Sequence, residues 1–166
     1  MKFHIREKVF SWRDTFHIYN EHHEMQYYVK GEFIHIGRKL HVYDPDDHQV
    51  SYIHEHVLAF FPTHEFNIDH KSYKVVKRIS FFRPKYKVKG LGWEVEGDIL
   101  KHNFTIRKGR EVIARITDEW LTWGHTYAID VKKEENAIYA LSVVLILDGM
   151  KHKEEENEHK EMSDKE

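Results

Sequence analysis

The stretch AIYALSVVLIL, Ala137 to Leu147, decides what fold this chain can adopt. Ten of its eleven residues are apolar, Ser142 being the exception. Glu134, Glu135 and Asn136 precede it and Asp148-Gly149 follow it, which are start and stop signals for a helix. A helix that is apolar around its whole circumference must be buried, in protein or in lipid. Eleven residues rise only about 16 Å, whereas a bilayer crossing takes roughly 20 residues. The stretch therefore reads as a helix buried in the protein's own core, and the rest of the chain must supply the wall around it.

That wall is written in alternation. FHIYN (Phe16–Asn20), LHVYD (Leu40–Asp44), EFNID (Glu65–Asp69), YKVKG (Tyr86–Gly90), FTIRKG (Phe104–Gly109) and TYAIDV (Thr126–Val131) share one pattern. Each places an aromatic residue or Leu two positions before Ile or Val, then a charge or turn former, as a half-buried strand entering a turn does. The anchors Phe16, Leu40, Phe66, Tyr86, Phe104 and Tyr127 are separated by 24, 26, 20, 18 and 23 residues. This spacing predicts six consecutive hairpins, about twelve strands, from one degenerate repeat. Breakers fall between them at Asp44-Pro45-Asp46-Asp47, Phe61-Pro62, Arg83-Pro84, Lys108-Gly109 and Trp123-Gly124. So many antiparallel strands must close into a barrel or stack as a sandwich to remove their edges. The apolar helix would thread or plug a barrel.

The totals narrow the function classes. A chain of 166 residues suits a single domain, expected here over residues 1–150, with 151–166 as a charged tail lacking fixed structure. With 26 Lys and Arg against 28 Asp and Glu, no global field argues for nucleic acid, and no recognition motif does either. The absence of cysteine excludes disulfides, thiolate metal sites and cysteine nucleophiles, and suits a reducing cytoplasm. Charges throughout MKFHIREKVF leave no apolar core for a secretion signal. The serines (Ser11, Ser51, Ser72, Ser80, Ser142, Ser163) lack a nucleophile context, and there is no phosphate-cradling loop or H-E-x-x-H.

The opening EKVFSW (7–12), the central FFRPKY (81–86) with GLGWEVEGD (90–98), the sixth repeat W-x-x-WGHTYAIDV (120–131) and the apolar C-terminal helix together resemble the LURP-one-related family. That family lies in the superfamily of tubby C-terminal domains and phospholipid scramblases. The resemblance runs from Met1 to about Met150 and leaves out the acidic tail. It implies a mainly β protein, a closed antiparallel barrel of about twelve strands around a central hydrophobic helix. Tubby domains bind phosphoinositide head groups through basic residues, and scramblases act at membranes. The scramblases' cysteine-rich palmitoylation segment and long membrane helix have no counterpart here, so the resemblance does not extend to scrambling.

Three features are candidates for chemistry. From Lys71 to Lys89 there are eight basic residues and no acidic one. Of these Lys74, Lys77, Arg78, Arg83, Lys85, Lys87 and Lys89 form the candidate site for an anionic lipid head group or a phosphorylated small ligand. Lys85, Lys87 and Lys89 share a strand face, and Phe81, Phe82 and Tyr86 lie between the charges. The plain alternative is that these lysines only solvate and blunt the strand pair. His54-x-His56 puts two imidazoles on one strand face, the start of a metal site or of a metal-dependent enzyme with Glu94 or Glu96 as acid/base. His22, His23, His35, His41, His64 or His70 would supply a third ligand. Most of the fifteen histidines occupy polar slots of alternating strands or turns, so surface placement explains them, and the metal site is the lesser alternative. The Trp12 and Trp120/Trp123 hairpins read as core packing rather than a ligand-facing rim. Finally, Glu94 and Glu96 in GLGWEVEGD project in parallel from one strand, about 6–7 Å apart. A catalytic pair must flank a bond, and a calcium loop needs more oxygens than Glu94, Glu96 and Asp98 supply. The stretch therefore reads as a hairpin corner, with Trp93 and Val95 inward and Glu94 and Glu96 opposite the lysines. The expectation is a monomeric, non-enzymatic binding module with no cofactor, acting in the cytoplasm or at a membrane surface; a protein-interaction scaffold is the other alternative.

Overall fold

A computed structural model describes residues 1–6, 15–34, 37–56, 63–78, 85–121 and 124–163. The expected Phe61-Pro62 and Arg83-Pro84 turns lie outside them, as do Trp12, His35, Phe81, Phe82, Arg83 and Trp123. Twelve strands follow the alternating pattern: β1 (Lys2–Arg6), β2 (Thr15–Asn20), β3 (Met25–Ile34), β4 (Gly37–Tyr43), β5 (Gln49–His56), β6 (Thr63–Ile68), β7 (Lys71–Arg78), β8 (Lys85–Lys89), β9 (Trp93–Asp98), β10 (Asn103–Lys108), β11 (Glu111–Leu121) and β12 (Gly124–Val131). Each strand pairs antiparallel with its neighbours in sequence, and β1 pairs with β12 from Lys2 opposite Asp130 to Arg6 opposite Thr126. The sheet is thus a closed barrel, and closure removes both edges.

The six anchors all lie on even-numbered strands and all point inward: Phe16, Leu40, Phe66, Tyr86, Phe104 and Tyr127 are buried. Their partners two residues on, among them Ile18, Val42, Ile68, Val88, Ile106 and Ile129, are buried with them. Period-2 alternation needs one face on a core, and here the core is a helix. After a 3-10 turn at Glu134–Asn136, helix α1 (Ala137–Ser163) runs up the barrel axis, with Ala140 through Leu147 no more than 1% exposed. Its one polar residue in that run is matched: Ser142 donates to the Ile138 carbonyl at 2.8 Å and accepts from Ser51 of β5, also at 2.8 Å.

The helix does not stop at Asp148-Gly149. It continues to Ser163, so Lys151 to Ser163, expected to lack structure, are helical. Two contacts explain why the stop signal fails. The Asp148 carboxylate accepts from His102 Nε2 at 2.7 Å, and Arg38 Nη1 donates to the Gly149 carbonyl at 3.0 Å. Both hold the helix in register as it leaves the barrel. Beyond them, Glu and Lys are good helix formers, and extending a nucleated helix costs little.

GLGWEVEGD is the corner expected. Gly90-Leu91-Gly92 form the β8–β9 turn, Trp93 and Val95 are buried, and Glu94 and Glu96 are exposed. Trp93 packs edge-on toward Tyr139 of α1, with ring centroids 6.4 Å apart.

Candidate functional site

The barrel wall has two chemical faces, set by strand parity. Inward positions near the end where α1 leaves carry polar groups among apolar ones. Glu55 of β5 stands opposite His64 of β6, with Oε1 and Nε2 3.8 Å apart and both side chains nearly buried. His102 reaches Asp148, and its ring stacks on Tyr127 at 4.1 Å. Burial first, and the Asp148 charge second, hold the Tyr127 hydroxyl far above the usual phenol range. Both pairs are walled off from solvent, and His102–Asp148 fastens the helix to the barrel.

The outer face carries the candidates for function. On β7 the outward positions are Ser72, Lys74, Val76 and Arg78, and on β8 they are Lys85, Lys87 and Lys89. The register sets Lys74 opposite Lys89, Val76 opposite Lys87 and Arg78 opposite Lys85. Of the expected site residues, the fold therefore brings five to one surface. Lys77 has inward parity, opposite Tyr86, and is exposed at the end of β7; Arg83 lies outside the described residues.

Acidic strands flank this ribbon. Lys74 Nζ is 3.5 Å from Glu65 on β6, and Lys85 Nζ is 3.3 Å from Glu96 on β9. Glu94 faces Lys87 in register. Among the described residues, Arg78, Lys87 and Lys89 form no ion pair. The cross-strand neutralisation expected from GLGWEVEGD is real at Lys85 and leaves those three cations in place.

One strand pair away lies the histidine face. His54 and His56 point outward from β5, their Nε2 atoms 2.9 Å apart, one ring donating and the other accepting. The third member is Glu65, directly opposite His54 on β6. Its Oε2 is 3.4 Å from His56 Nε2, and its Oε1 is 4.0 Å from His54 Nε2. The Ser72 hydroxyl donates to Glu65 Oε1 in a short hydrogen bond and orients the carboxylate. Tyr52 stacks on the His54 ring at 5.1 Å and also lines a cleft of about 340 Å3 with Gln49, Val50, Ser51, Asn67, Asp69 and His70. Burial, then His56, lowers the pKa of His54. Glu65 is pushed up by burial, but the Ser72 hydrogen bond and the neighbouring His54, Lys74 and His56 charges outweigh this and lower it overall.

The histidines expected as third ligands go elsewhere. His64 faces the interior, His22, His23 and His70 sit at hairpin turns, and His41 packs against Tyr52. Glu94 and Glu96, offered as acid/base partners of His54 and His56, lie on β9, three strands beyond Glu65. Glu65 was not legible because its role depends on the β5–β6 register. A second group, Asp44, Asp46 and His48, is drawn together by its turn, in which Asp44 Oδ1 accepts from the Asp46 and His48 amides.

Taken together, these features define a class: a twelve-stranded antiparallel barrel threaded by its own C-terminal helix, with a basic ribbon and a histidine cluster on its outer wall. The chain belongs to the LURP-one-related family, whose model matches residues 1–148. It is similar to "Uncharacterized protein YxjI" of Bacillus subtilis (strain 168), at 28% identity over 153 residues, covering 92% of this chain and 94% of that protein. No solved structure matches the chain. Among the described residues no helix is long and apolar enough to cross a membrane.

Proposed function

We propose that the outer face of β7 and β8 is a non-catalytic binding surface for phosphate-bearing anions, lipid head groups at a membrane surface foremost. The observation that carries this reading is the register. Lys74 faces Lys89 and Arg78 faces Lys85, and like charges directly opposite one another destabilise a sheet. A strand pair that only needed solubility would alternate signs, as β8 does with β9 at Lys85 and Glu96. Near an anionic membrane each exposed basic residue contributes about 1 kcal/mol, so Arg78, Lys87 and Lys89, with partial help from the paired Lys74 and Lys85, amount to a useful but reversible attraction. A strand-borne ribbon also sets the spacing of its charges, roughly 6–7 Å between alternate residues, whereas a disordered basic tail does not.

The test is flotation of the full chain with neutral vesicles and with vesicles containing anionic phospholipid or phosphoinositide. Wild type is expected to float with the anionic vesicles only, and Lys85/Lys87/Lys89→Glu to lose that binding with an unchanged far-UV spectrum. Soluble inositol phosphates as competitors separate recognition of the head group from attraction to the surface. Equal binding by wild type and variant, or binding by neither, contradicts the proposal. Protein partners retained by the charge-reversed variant would favour an interaction scaffold instead.

A further inference from the structure

We propose that His54, His56 and Glu65 form a site for one divalent first-row transition ion, Zn2+, Co2+ or Ni2+, on the outer wall of β5 and β6. Its three ligands are separate from the proposed anion ribbon, which it touches only where Lys74 meets Glu65, and its test does not depend on that reading.

The argument is geometric. Two atoms each roughly 2.1 Å from one ion are about 3.0 Å apart at a right angle and about 3.4 Å apart at the tetrahedral angle. The His54 and His56 Nε2 atoms are 2.9 Å apart, and His56 Nε2 and Glu65 Oε2 are 3.4 Å apart. The remaining separation, 4.0 Å from His54 Nε2 to Glu65 Oε1, closes by a turn of the carboxylate. Both imidazoles offer the same nitrogen to the same point, because residues two apart on a strand project in parallel. Glu65 meets them because it lies opposite His54 across the strand pair.

The chemistry agrees with the geometry. Imidazole suits zinc, nickel and cobalt, and one carboxylate completes a facial set that leaves further positions open. Metal-bound carboxylates are held by a second layer of hydrogen bonds, and the Ser72 hydroxyl already donates to Glu65 Oε1. Tyr52 stacks against His54 and restricts its ring. Two cations oppose a dication here. Lys74 Nζ lies 3.5 Å from Glu65 Oε2, and Lys39 is opposite His54 on β4. The ion must displace Lys74 from the carboxylate, so occupancy and the Lys74–Glu65 contact are alternatives.

The test uses the untagged full chain, stripped with chelator and titrated with Co2+, followed by its visible absorption and displacement by Zn2+. One ion per chain is expected, with a thermal midpoint that rises on binding. His54→Ala and His56→Ala should each weaken binding by at least about ten-fold, and Ser72→Ala by about ten-fold through loss of carboxylate positioning. His22→Ala and His70→Ala, at turns, should leave the titration unchanged. The proposal is overturned if no one-to-one complex forms, or if the folded His54/His56→Ala double variant binds Co2+ and gains thermal stability as wild type does.

Discussion

At Gly97 one methyl group decides whether β9 and β10 can pair. Its φ is +131°, and an added Cβ would lie 2.7 Å from the Asn103 carbonyl oxygen and from the Phe104 Cα. Neither backbone atom can move without opening the ladder. Gly97→Ala is therefore expected to cost about 3 kcal/mol, from strained backbone and overpacking together, read from urea denaturation. Gly92 makes the contrast: its φ is +68° but a Cβ there meets nothing within 4 Å, so Gly92→Ala should cost only about 1–2 kcal/mol. The outer-wall cluster makes a second prediction at this scale. His54 has its pKa held below 6.5 by burial and by His56, Lys39 and Lys74, against the opposing pull of Glu65. The unfolded chain then takes up this proton first as pH falls. The stability tied to neutral His54 is fully present above pH 6.5 and is lost as pH drops through the folded value. Glu65, lowered from 4.5, contributes stability that is present above pH 4.5 and lost below it. His54→Gln should remove the upper step from a plot of urea midpoint against pH and shrink the lower one without abolishing it, since Ser72, Lys74 and His56 still hold Glu65 down.

The helix and the strands were legible to different degrees. The apolar run from Ala137 to Leu147 could only be a buried helix, and the six anchors marked the even strands, because burial on one face forces period 2 on the sequence. The helix end was not legible. Asp148 and Gly149 look like a terminus until the fold brings His102 and Arg38 to them across the barrel, a contact no local pattern encodes. Glu65 was missed for the same reason, whereas Lys85 and Glu96 sat in one hairpin and their pairing followed from alternation. Ser142 offers the cleanest test at this scale. Its hydroxyl and that of Ser51 satisfy each other inside the core, so Ser142→Ala strands the Ser51 hydroxyl and should cost about 1–3 kcal/mol. Ser51→Ala/Ser142→Ala, which leaves neither hydroxyl unpaired, should recover part of that loss. A double-mutant cycle with no coupling would show that the pair does not join helix to wall.

The whole molecule separates two tasks. Its interior is given to the helix and to the buried His102–Asp148 and Glu55–His64 pairs, and both proposed sites lie on the outer wall. A net charge of −2 hides a wall on which β7 and β8 are positive while β6 and β9 supply acids at either side. Attraction of such a ribbon to anionic vesicles should weaken steeply with salt, since exposed charges are screened within about 8–10 Å at 0.1–0.15 M ionic strength. Flotation at 0.05 M and 0.5 M salt should therefore differ markedly for wild type and little for Lys85/Lys87/Lys89→Glu. The most direct test of the proposed binding surface is residue by residue: amide chemical shifts of the 15N-labelled chain titrated with a soluble inositol polyphosphate. Shifts concentrated at Lys74 to Arg78 and Lys85 to Lys89, and abolished by the triple charge reversal, are the predicted result. Shifts scattered around the barrel, or none along β7 and β8, would contradict it.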